Sequence, residues 1–193
     1  QASDVSTCEH EGTLVNVQVV DGLKGKAFAF DGDGFIQIPH YPDSLDPTYR
    51  PFTVGAWCKP AAVDGVVVSH GEQCFGYSLF LRDGRPHFNI QAGQHSFLVA
   101  GPRPVAIGQW VHLAGTVDRD ARLTLWLDGK PVAQLEDGFF VSDGPLDGFS
   151  VGGDIGGPAG PYKAPMAFKG LIEDVRLYWG VLDETRFQTW ASK

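Results

Sequence analysis

The stretch AGTVDRDARLTLWLDGKPV, from Ala114 to Val132, carries the clearest fold signal in the chain. On both sides of the short polar connection 118–122, apolar side chains recur at every second position, which is the pattern of half-buried antiparallel strands. The connection has hairpin length, and Asp128-Gly129 is a turn signal that follows the second strand. The stretch therefore predicts a β-hairpin with the following register: Val117 opposite Leu123, Leu113 opposite Leu127, and Ala114 opposite Trp126.

The composition extends this signal to the whole chain. The 193 residues include 25 Gly, 13 Pro, one Met and 12% aromatic residues, which is typical of many short strands joined by turns. A chain of this length can form one domain over residues 1–193 without disulfide staples. The formal net charge of -8 argues against nucleic acid and anionic membranes as partners, because no basic surface is available to bind them. It is compatible with neutral glycans or with cations.

Membrane and disulfide signals are weak. No apolar run approaches the roughly 20 residues that span a bilayer, and the first residues lack a charged-then-apolar signal segment. The three cysteines, Cys8, Cys58 and Cys74, include no CxxC motif and are too few for a zinc site. Either no disulfide or one is expected, and Cys58 with Cys74 is the favoured pair because both belong to neighbouring strand candidates.

Strand candidates continue at short, even spacing along the chain. Only 183–191 has helical character, with Asp183 as N-cap and with Phe187 and Trp190 on one side, and we expect it to pack on the sandwich edge. The Gly- and Pro-rich run from Gly152 to Pro165 is predicted to be the longest irregular loop. The pattern predicts an all-β fold, an antiparallel two-sheet jelly-roll sandwich with little helix. Its further strand candidates are Ala27–Phe30, Phe35–Ile38, Phe52–Lys59, Val66–Ser69, Tyr77–Leu81, His87–Ile90, Ser96–Val99, Pro131–Leu135, Phe149–Gly152 and Leu171–Tyr178.

Six segments, in order along most of the chain, resemble the laminin-G-like domains of the concanavalin A-like lectin/glucanase superfamily. They are HEGTL (His10–Leu14), GKAFAFDGDGFIQIP (Gly25–Pro39), FTVGAWCKP (Phe52–Pro60), GQWVHLAGTVD (Gly108–Asp118), LTLWLDGKPVA (Leu123–Ala133) and FKGLIEDVRLYWGVLD (Phe168–Asp183). The resemblance implies a concanavalin A-like sandwich from an extracellular or cell-surface protein.

The sequence departs from this family at one point. Such domains usually open with an apolar strand that contains a tryptophan, whereas only Gln1 to Cys8 precede HEGTL. Because an uncovered sheet edge invites association, we expect either that another segment covers this edge or that the domain was cut from a larger polypeptide.

Four carboxylates are candidate ligands of a structural calcium: Asp31, Asp33, Glu173 and Asp174. Hard oxygen ligands suit this ion, and the resemblance implies a calcium that joins the terminal strands. Glu173 shares the parity of Val175, so a regular strand would turn its carboxylate toward the core, where an unpaired charge is costly. The alternative is that Asp31 only caps its own turn and that Glu173 pairs with Arg176 or Lys169.

A polar and aromatic row is the candidate ligand surface. In YSLFLRDGRPHFNIQ, from Tyr77 to Gln91, the parity that hides the aliphatic residues exposes planar hydrogen-bonding groups suited to sugar hydroxyls or carboxylates. Trp57 and Trp126 lie on other strands, at positions whose side chains would face outward. The HGEQ segment (70–73) would form a rim of the ligand surface. The alternative is a solvated sheet face whose aromatic residues are covered by loops. The predicted ligand-binding residues are Phe80, Arg82, His87, Asn89, Gln91, Trp126 and His70.

No catalytic motif is present in the sequence. Glycosidases of this superfamily need two carboxylates across a cleft, but no strand carries an ExDxE-like alternation and no GxSxG occurs. His112 is predicted to form a structural hydrogen-bonded pair with Asp128 rather than to shuttle protons. The sequence predicts no enzyme, although the side chains that jelly-roll polysaccharide lyases use keep that activity open: Arg82, His87, Gln91 and Tyr77.

Three functions remain open at this point. The preferred one is a non-catalytic binding module that recognises carbohydrate. The second is a structural or protein-interaction domain that docks on a neighbouring domain or subunit through its sheet face or its missing-strand edge. The third is a small lyase-like enzyme. Because a fold does not determine function, the arrangement of side chains must separate them.

Overall fold

A computed structural model describes residues 2–6, 8, 10–39 and 44–192, and these residues form short strands and a single helix. The strands are β1 (Thr13–Val15), β2 (Gln18–Asp21), β3 (Lys26–Asp31), β4 (Phe35–Ile38), β5 (Phe52–Pro60), β6 (Gly65–Gly71), β7 (Phe75–Arg82), β8 (Arg85–Ala92), β9 (His95–Ala100), β10 (Val111–Val117), β11 (Leu123–Leu127), β12 (Lys130–Leu135), β13 (Phe149–Val151) and β14 (Lys169–Trp179). The helix is α1 (Glu184–Trp190). The predicted all-β class is confirmed.

The strands form two antiparallel sheets that enclose the apolar core. The first sheet has the order β1-β4-β13-β6-β7-β8-β9, and the second has the order β12-β11-β10-β5-β14-β3-β2. Alternating side chains such as Leu79 of the first sheet and Leu113 of the second are fully buried between them. This arrangement is the predicted two-sheet sandwich, stabilised mainly by burial of apolar surface.

The hairpin of β10 and β11 has the predicted register. Val117 pairs with Leu123, and Leu113 pairs with Leu127. Its other neighbour is β5, where Phe52 lies opposite Val117. Phe52 also lies opposite Trp179 on β14, so three strands of the second sheet end side by side.

Helix α1 packs on the outer face of the second sheet, not on the sandwich edge as predicted. Its N-cap is Asp183, as predicted, with a side chain that accepts from the backbone N–H of Arg186 at 2.9 Å. Phe187 and Trp190 are buried against outward-facing side chains of the sheet. Gly55 allows this approach, since a Cβ there would lie 2.9 Å from the Trp190 ring. No helix among the described residues has the length and apolar character needed to cross a membrane.

The connection between β13 and β14, residues 152–168, contains neither helix nor strand, as predicted for the Gly- and Pro-rich run. We call it the 152–168 loop. It folds back over the outer face of the first sheet, where Tyr162 packs on Phe80. Each sheet therefore has a cover on its outer face, and these covers decide which predicted side chains reach solvent.

A β-bulge divides β14 into two parts. The register with β5 shifts between Glu173 and Arg176, and Asp174 lies in the left-handed region with φ of 55°. The part before the bulge pairs with β3 over residues 169–172, whereas the part after it pairs only with β5 among the described residues. One edge of residues 174–179 is consequently free of a strand partner in the described part of the chain.

The favoured disulfide does not form. Cys8, Cys58 and Cys74 are all free thiols. Cys58 lies in the core on β5 of the second sheet, whereas Cys74 is exposed in the turn between β6 and β7 of the first sheet. The predicted pairing is wrong because the two cysteines belong to different sheets.

Candidate functional site

The predicted polar row lies on the outer face of the first sheet, beneath the 152–168 loop. Its neighbours of opposite parity, including Leu79 and Ile90, face the core as predicted. Arg82 remains partly exposed. The exposure predicted for Phe80, His87, Asn89 and Gln91 is wrong, because all four are buried, and loop residues contact Phe80 and Asn89 directly.

The polar groups of the row hold the loop in place. The carbonyl of Ala159 accepts from the Ser78 hydroxyl at 3.0 Å and from the Asn89 side-chain amide at 3.0 Å. Arg82 donates to the carbonyl of Pro161 at 2.9 Å. Asn89 and Arg82, which the sequence assigned to a ligand, therefore donate to backbone carbonyls of the loop, which otherwise would be costly to bury.

A buried carboxyl group fixes the same loop from within. Asp154 accepts from the hydroxyl of Tyr162 at 2.5 Å and from the backbone N–H of Ala159 at 2.8 Å. Burial raises the pKa of Asp154, although both hydrogen bonds oppose that shift. The ring of Tyr162 stands edge-on to Phe80 at 4.8 Å and closes the cover.

The two remaining planar groups of the row make local contacts. The ring of His87 stacks on Phe80 at 4.9 Å, and burial lowers the pKa of His87. Gln91 donates its side-chain N–H to the carbonyl of Gly93 at 3.1 Å. A cleft of ≈ 450 Å³ remains beside the loop, lined in part by Gln91 and Lys163. Most of the row is thus part of the folded structure rather than an open groove.

His70 and Tyr77 lie inside the sandwich. His70 stands edge-on to Tyr77 at 5.5 Å, so its predicted place on a ligand rim is wrong. Glu72, also predicted for the rim, accepts from the backbone N–H of Leu146 at 2.9 Å. Tyr77 packs on Phe52 at 4.6 Å, and burial raises the pKa of its hydroxyl. It faces the core, away from the other three residues considered for a lyase: Arg82, His87 and Gln91.

Trp57 and Trp126 lie on the second sheet, so they cannot join the polar row. Both face outward as their parity predicts, but α1 covers them. The Trp126 ring stacks on Phe187 at 4.1 Å, and Trp57 donates its indole N–H to the carbonyl of Trp190 at 3.2 Å. Trp126 and Arg82 do not converge, because their strands belong to different sheets and the two side chains face opposite sides of the sandwich.

His112 is buried between the rings of Trp57, at 5.5 Å, and Trp190, at 4.4 Å. The predicted link to Asp128 exists, but the backbone N–H of His112 makes it at 2.9 Å. Neither ring nitrogen has a hydrogen-bond partner among the described residues. Burial lowers the pKa of His112 from 6.5 to about 3, an effect that nearby Lys24 reinforces. The ring is a packing element of the helix-covered face.

The two carboxylates of β14 already have partners within the chain. Glu173 accepts from the backbone N–H of Leu23 at 2.5 Å and from that of Lys24 at 2.8 Å. These two hydrogen bonds satisfy the buried carboxylate of Glu173 without an ion pair to Arg176 or Lys169, the two cations considered from the sequence. Asp174 forms a two-point ion pair with Arg176 at 2.7 and 2.9 Å and accepts from the indole of Trp190 at 3.0 Å.

Asp31 and Asp33 lie elsewhere, at the far end of β3. Asp31 pairs with Lys169, four positions along β14 from Glu173. The neighbouring carboxylate of Asp31 raises the pKa of Asp33. In the described ranges no group of three or more His, Cys, Asp or Glu residues is placed to hold a metal ion. The four predicted ligands therefore do not fit one calcium site, and calcium stays a prediction from the resemblance.

Thermal unfolding with and without a chelator tests whether the chain holds a structural calcium. Because the four carboxylates are dispersed and two are satisfied by the chain, we expect excess chelator to leave the midpoint of thermal unfolding unchanged within about 1 °C. A structural ion that binds only the folded state would instead add stability by mass action. A fall of several degrees with chelator, restored specifically by calcium, would contradict our expectation and support the ion.

A cleft that the sequence did not predict lies where three strands of the second sheet end. Since Phe52 is opposite both Val117 and Trp179, the segments just beyond these positions meet at one end of the sandwich. They enclose a cleft of ≈ 630 Å³. We call it the Arg50–Trp179 cleft, and its lining is Arg50, Pro51, Asp118, Arg119, Asp120, Trp179, Gly180 and Val181.

The indole of Trp179 forms one wall of this cleft. It is 39% exposed, and the guanidinium of Arg50 lies over it at 4.4 Å from the ring centroid. The backbone N–H of Gly180 donates to the carbonyl of Pro51 at 2.8 Å, and the hydroxyl of Thr53 donates to the carbonyl of Gly180 at 2.8 Å. These bonds hold the end of β14 against the start of β5, so the aromatic wall is fixed.

The hairpin tip forms the opposite wall. One carboxylate oxygen of Asp118 accepts from the backbone N–H groups of Asp120 and Arg122, both at 2.9 Å. The side chains of Arg119 and Asp120 are exposed at the tip. The cleft therefore combines a partly exposed aromatic surface with guanidinium and carboxylate groups, a combination suited to polar organic ligands.

The two-sheet fold defines the class of protein: a jelly-roll sandwich of the concanavalin A-like type. A laminin G family model, described as the concanavalin A-like lectin/glucanases superfamily, matches residues 30–186. The chain belongs to this superfamily. No curated protein matches the sequence.

Solved structures share the fold. Domain 4 of AbnA, a GH43 extracellular arabinanase from Geobacillus stearothermophilus in complex with arabinotriose, matches with a TM-score of 0.74 and 22% identity, over 94% of this chain and 88% of that one. The binding domain of Paraclostridial Mosquitocidal Protein 1 matches with a TM-score of 0.76 and 14% identity, over 98% of this chain and 48% of that one. A SAP-like pentraxin from Limulus polyphemus matches with a TM-score of 0.58 and 20% identity, over 82% of this chain and 81% of that one. The chain spans about half of the toxin domain, and at these identities the similarity establishes the fold alone.

Proposed function

We propose that the chain is a non-catalytic carbohydrate-binding module of an extracellular protein and that the Arg50–Trp179 cleft is its binding site. The observation that carries the proposal is the exposed part of the Trp179 indole beside the Arg50 guanidinium in a cleft of ≈ 630 Å³. Aromatic carbons pack against the C–H faces of sugar rings, and guanidinium groups donate to sugar oxygens.

The family and its structural relatives support a binding role. One relative holds arabinotriose and another is the binding domain of a toxin. The dispersal of the candidate lyase residues, with Tyr77 in the core and His87 beneath the 152–168 loop, supports the non-catalytic part of the proposal. The origin of AbnA as an extracellular enzyme supports the proposed location.

Removal of the aromatic wall tests the proposed site. A glycan array is used to find a ligand, and calorimetry then measures its affinity for the wild type and for Trp179→Ala. We expect the variant to bind at least about tenfold more weakly, because a sugar–aromatic contact is lost from a preformed site. Ile107→Ala, an exposed apolar residue at the opposite end of the sandwich, is the control and should bind normally. Silence of a broad array would contradict the proposal.

A second candidate function is protein interaction through the free edge of β14. Residues 174–179 lack a strand partner on one side in the described part of the chain, as noted above. An opening of ≈ 470 Å³ between the sheets lies beside this edge and is lined by apolar side chains such as Phe28, Val175 and Leu177. Free backbone groups next to apolar surface favour addition of an extended strand.

Hydrogen exchange tests this second candidate. In dilute protein, we expect the free-edge amides of residues 175–179 to exchange at least about tenfold faster than those of 169–172, because they lack a second strand. If the edge pairs with a second copy of the chain, this exchange slows at high protein concentration, and Val175→Lys prevents the slowing. Exchange rates that do not change with protein concentration would exclude self-association through this edge.

A further inference from the structure

We infer that the Arg50–Trp179 cleft selects saccharides that carry a carboxylate, such as chains of uronic acid. The inference rests on the proposed carbohydrate binding and names the class of saccharide. It is based on which charged side chains of the cleft lining already have hydrogen-bond or ion-pair partners in the chain and which do not.

Arg50 is held in a position to bind a planar anion. Its guanidinium face lies over Trp179, which leaves the N–H groups at the edge of the plane free to donate. The contact to the carbonyl of Asp46, at 3.4 Å, is long for a hydrogen bond. No carboxylate among the described residues forms an ion pair with Arg50. A carboxylate of a ligand would find an ordered and unpaired guanidinium.

Neither carboxylate of the cleft lining forms an ion pair with Arg50. Asp118 is used by the hairpin, where its side chain accepts from two backbone N–H groups and lies 3.7 Å from Arg122. Arg119 is exposed and forms no ion pair with any described residue. Asp120 is then the one carboxylate in the lining without such a commitment; it lies beside Arg119 at the hairpin tip, on the wall opposite Arg50. The lining thus carries two guanidinium and two carboxylate groups and has no net formal charge, whereas the whole chain has a formal net charge of -8.

A uronic acid matches these groups better than a neutral sugar does. Its carboxylate is planar and can accept two parallel N–H bonds from Arg50, which are stronger than bonds to neutral hydroxyls. Its ring carbons can contact the part of the Trp179 indole that Arg50 leaves exposed. A neutral sugar offers the ring contact alone, together with weaker hydroxyl bonds.

Two ligands that differ only at the carboxyl groups test the selectivity. Calorimetric titrations compare trigalacturonate with its fully methyl-esterified, neutral form, at low and at physiological ionic strength. We expect the acidic trisaccharide to bind the wild type about tenfold more tightly at low ionic strength, a preference that weakens with added salt. Arg50→Gln should remove most of this preference, because it should weaken binding of the acidic trisaccharide more than binding of the neutral one. Arg103→Gln, an exposed arginine outside the cleft, is the control and should keep the preference.

The outcomes separate this inference from the function on which it rests. Equal affinity for the two trisaccharides, or an acidic preference that survives Arg50→Gln, overturns the inference and leaves carbohydrate binding intact. Loss of both ligands in Trp179→Ala supports the site. If neither trisaccharide binds and a broad array is silent, the proposed function fails, and the inference fails with it.

Discussion

Replacing Trp190 with alanine is expected to lower the free energy of unfolding by about 3–5 kcal/mol, the usual cost of deleting a large buried aromatic side chain. Trp190 is 4% exposed, and its ring packs against those of His112 at 4.4 Å and Tyr178 at 5.9 Å. Its indole N–H donates to Asp174 at 3.0 Å. The carbonyl of Trp190 also accepts from the ammonium group of Lys24 at 2.9 Å. Loss of the ring removes one of the two buried aromatic side chains that hold α1 on the second sheet.

Urea unfolding measures this effect, and hydrogen exchange of residues 184–190 locates it. Gln188→Ala, on the exposed side of the same helix, is the matched control and should change stability by less than about 0.5 kcal/mol. A loss below about 1 kcal/mol for Trp190→Ala would contradict the anchoring role. Unfolding of α1 alone would appear as fast exchange in 184–190 with the sandwich still protected.

Acidification is expected to destabilise the protein through His112. In the folded state the pKa of this imidazole is lowered to about 3, whereas the unfolded chain takes up the proton near pH 6.5. Above pH 6.5 the group is neutral in both states and contributes no pH dependence. As the pH falls from 6.5 to 3, only the unfolded chain gains the proton, so stability decreases. By pH 4 the loss from this group reaches about 3 kcal/mol.

The charges around the ring set the size of this effect. The carboxylate of Asp174 favours the protonated ring, whereas Lys24 and Arg176 disfavour it. These effects are smaller than that of burial between Trp57 and Trp190, which dominates the pKa. The loss should therefore persist at moderate salt, which screens the surrounding charges more than it changes burial.

A variant without a titrating ring isolates this contribution. His112→Phe can occupy the same space, and it loses no hydrogen bond to a described residue because neither ring nitrogen has one. Urea unfolding between pH 7 and pH 4 should give a flatter stability profile for His112→Phe than for the wild type. The exposed His95, replaced by Gln, is the control and should keep the wild-type slope. Parallel profiles for His112→Phe and the wild type would contradict the assignment to this ring.

Local patterns were sufficient to predict the strands and the hairpin register. Alternation along Leu123–Leu127 assigns side chains to the core or to the outer face, and the hairpin register follows from a short connection of fixed length. The cap at Asp183 depends only on the next three residues, so it too can be read from the sequence. The six segments that resemble laminin-G-like domains add the sheet arrangement, because they match a known order of strands.

The site could not be predicted by the same means. Parity shows that Asn89 and Trp126 face outward, but it does not show that the 152–168 loop and α1 cover those faces. Arg50 and Trp179 are far apart in sequence and meet only through the register of β5 with β14. The single local signal was an aromatic residue followed by glycine at the end of the last strand, and that pattern alone does not distinguish a cleft wall from a strand end.

The placement of the three free thiols has a practical consequence for labelling. Burial makes the Cys58 thiol unreactive by raising its pKa, whereas Cys8 and Cys74 are exposed. A Cys8→Ser chain would therefore carry a single accessible thiol, at Cys74. The adjacent Gln73 lies against Gly157 of the 152–168 loop, so a fluorophore attached at Cys74 would report any displacement of that loop without an engineered cysteine.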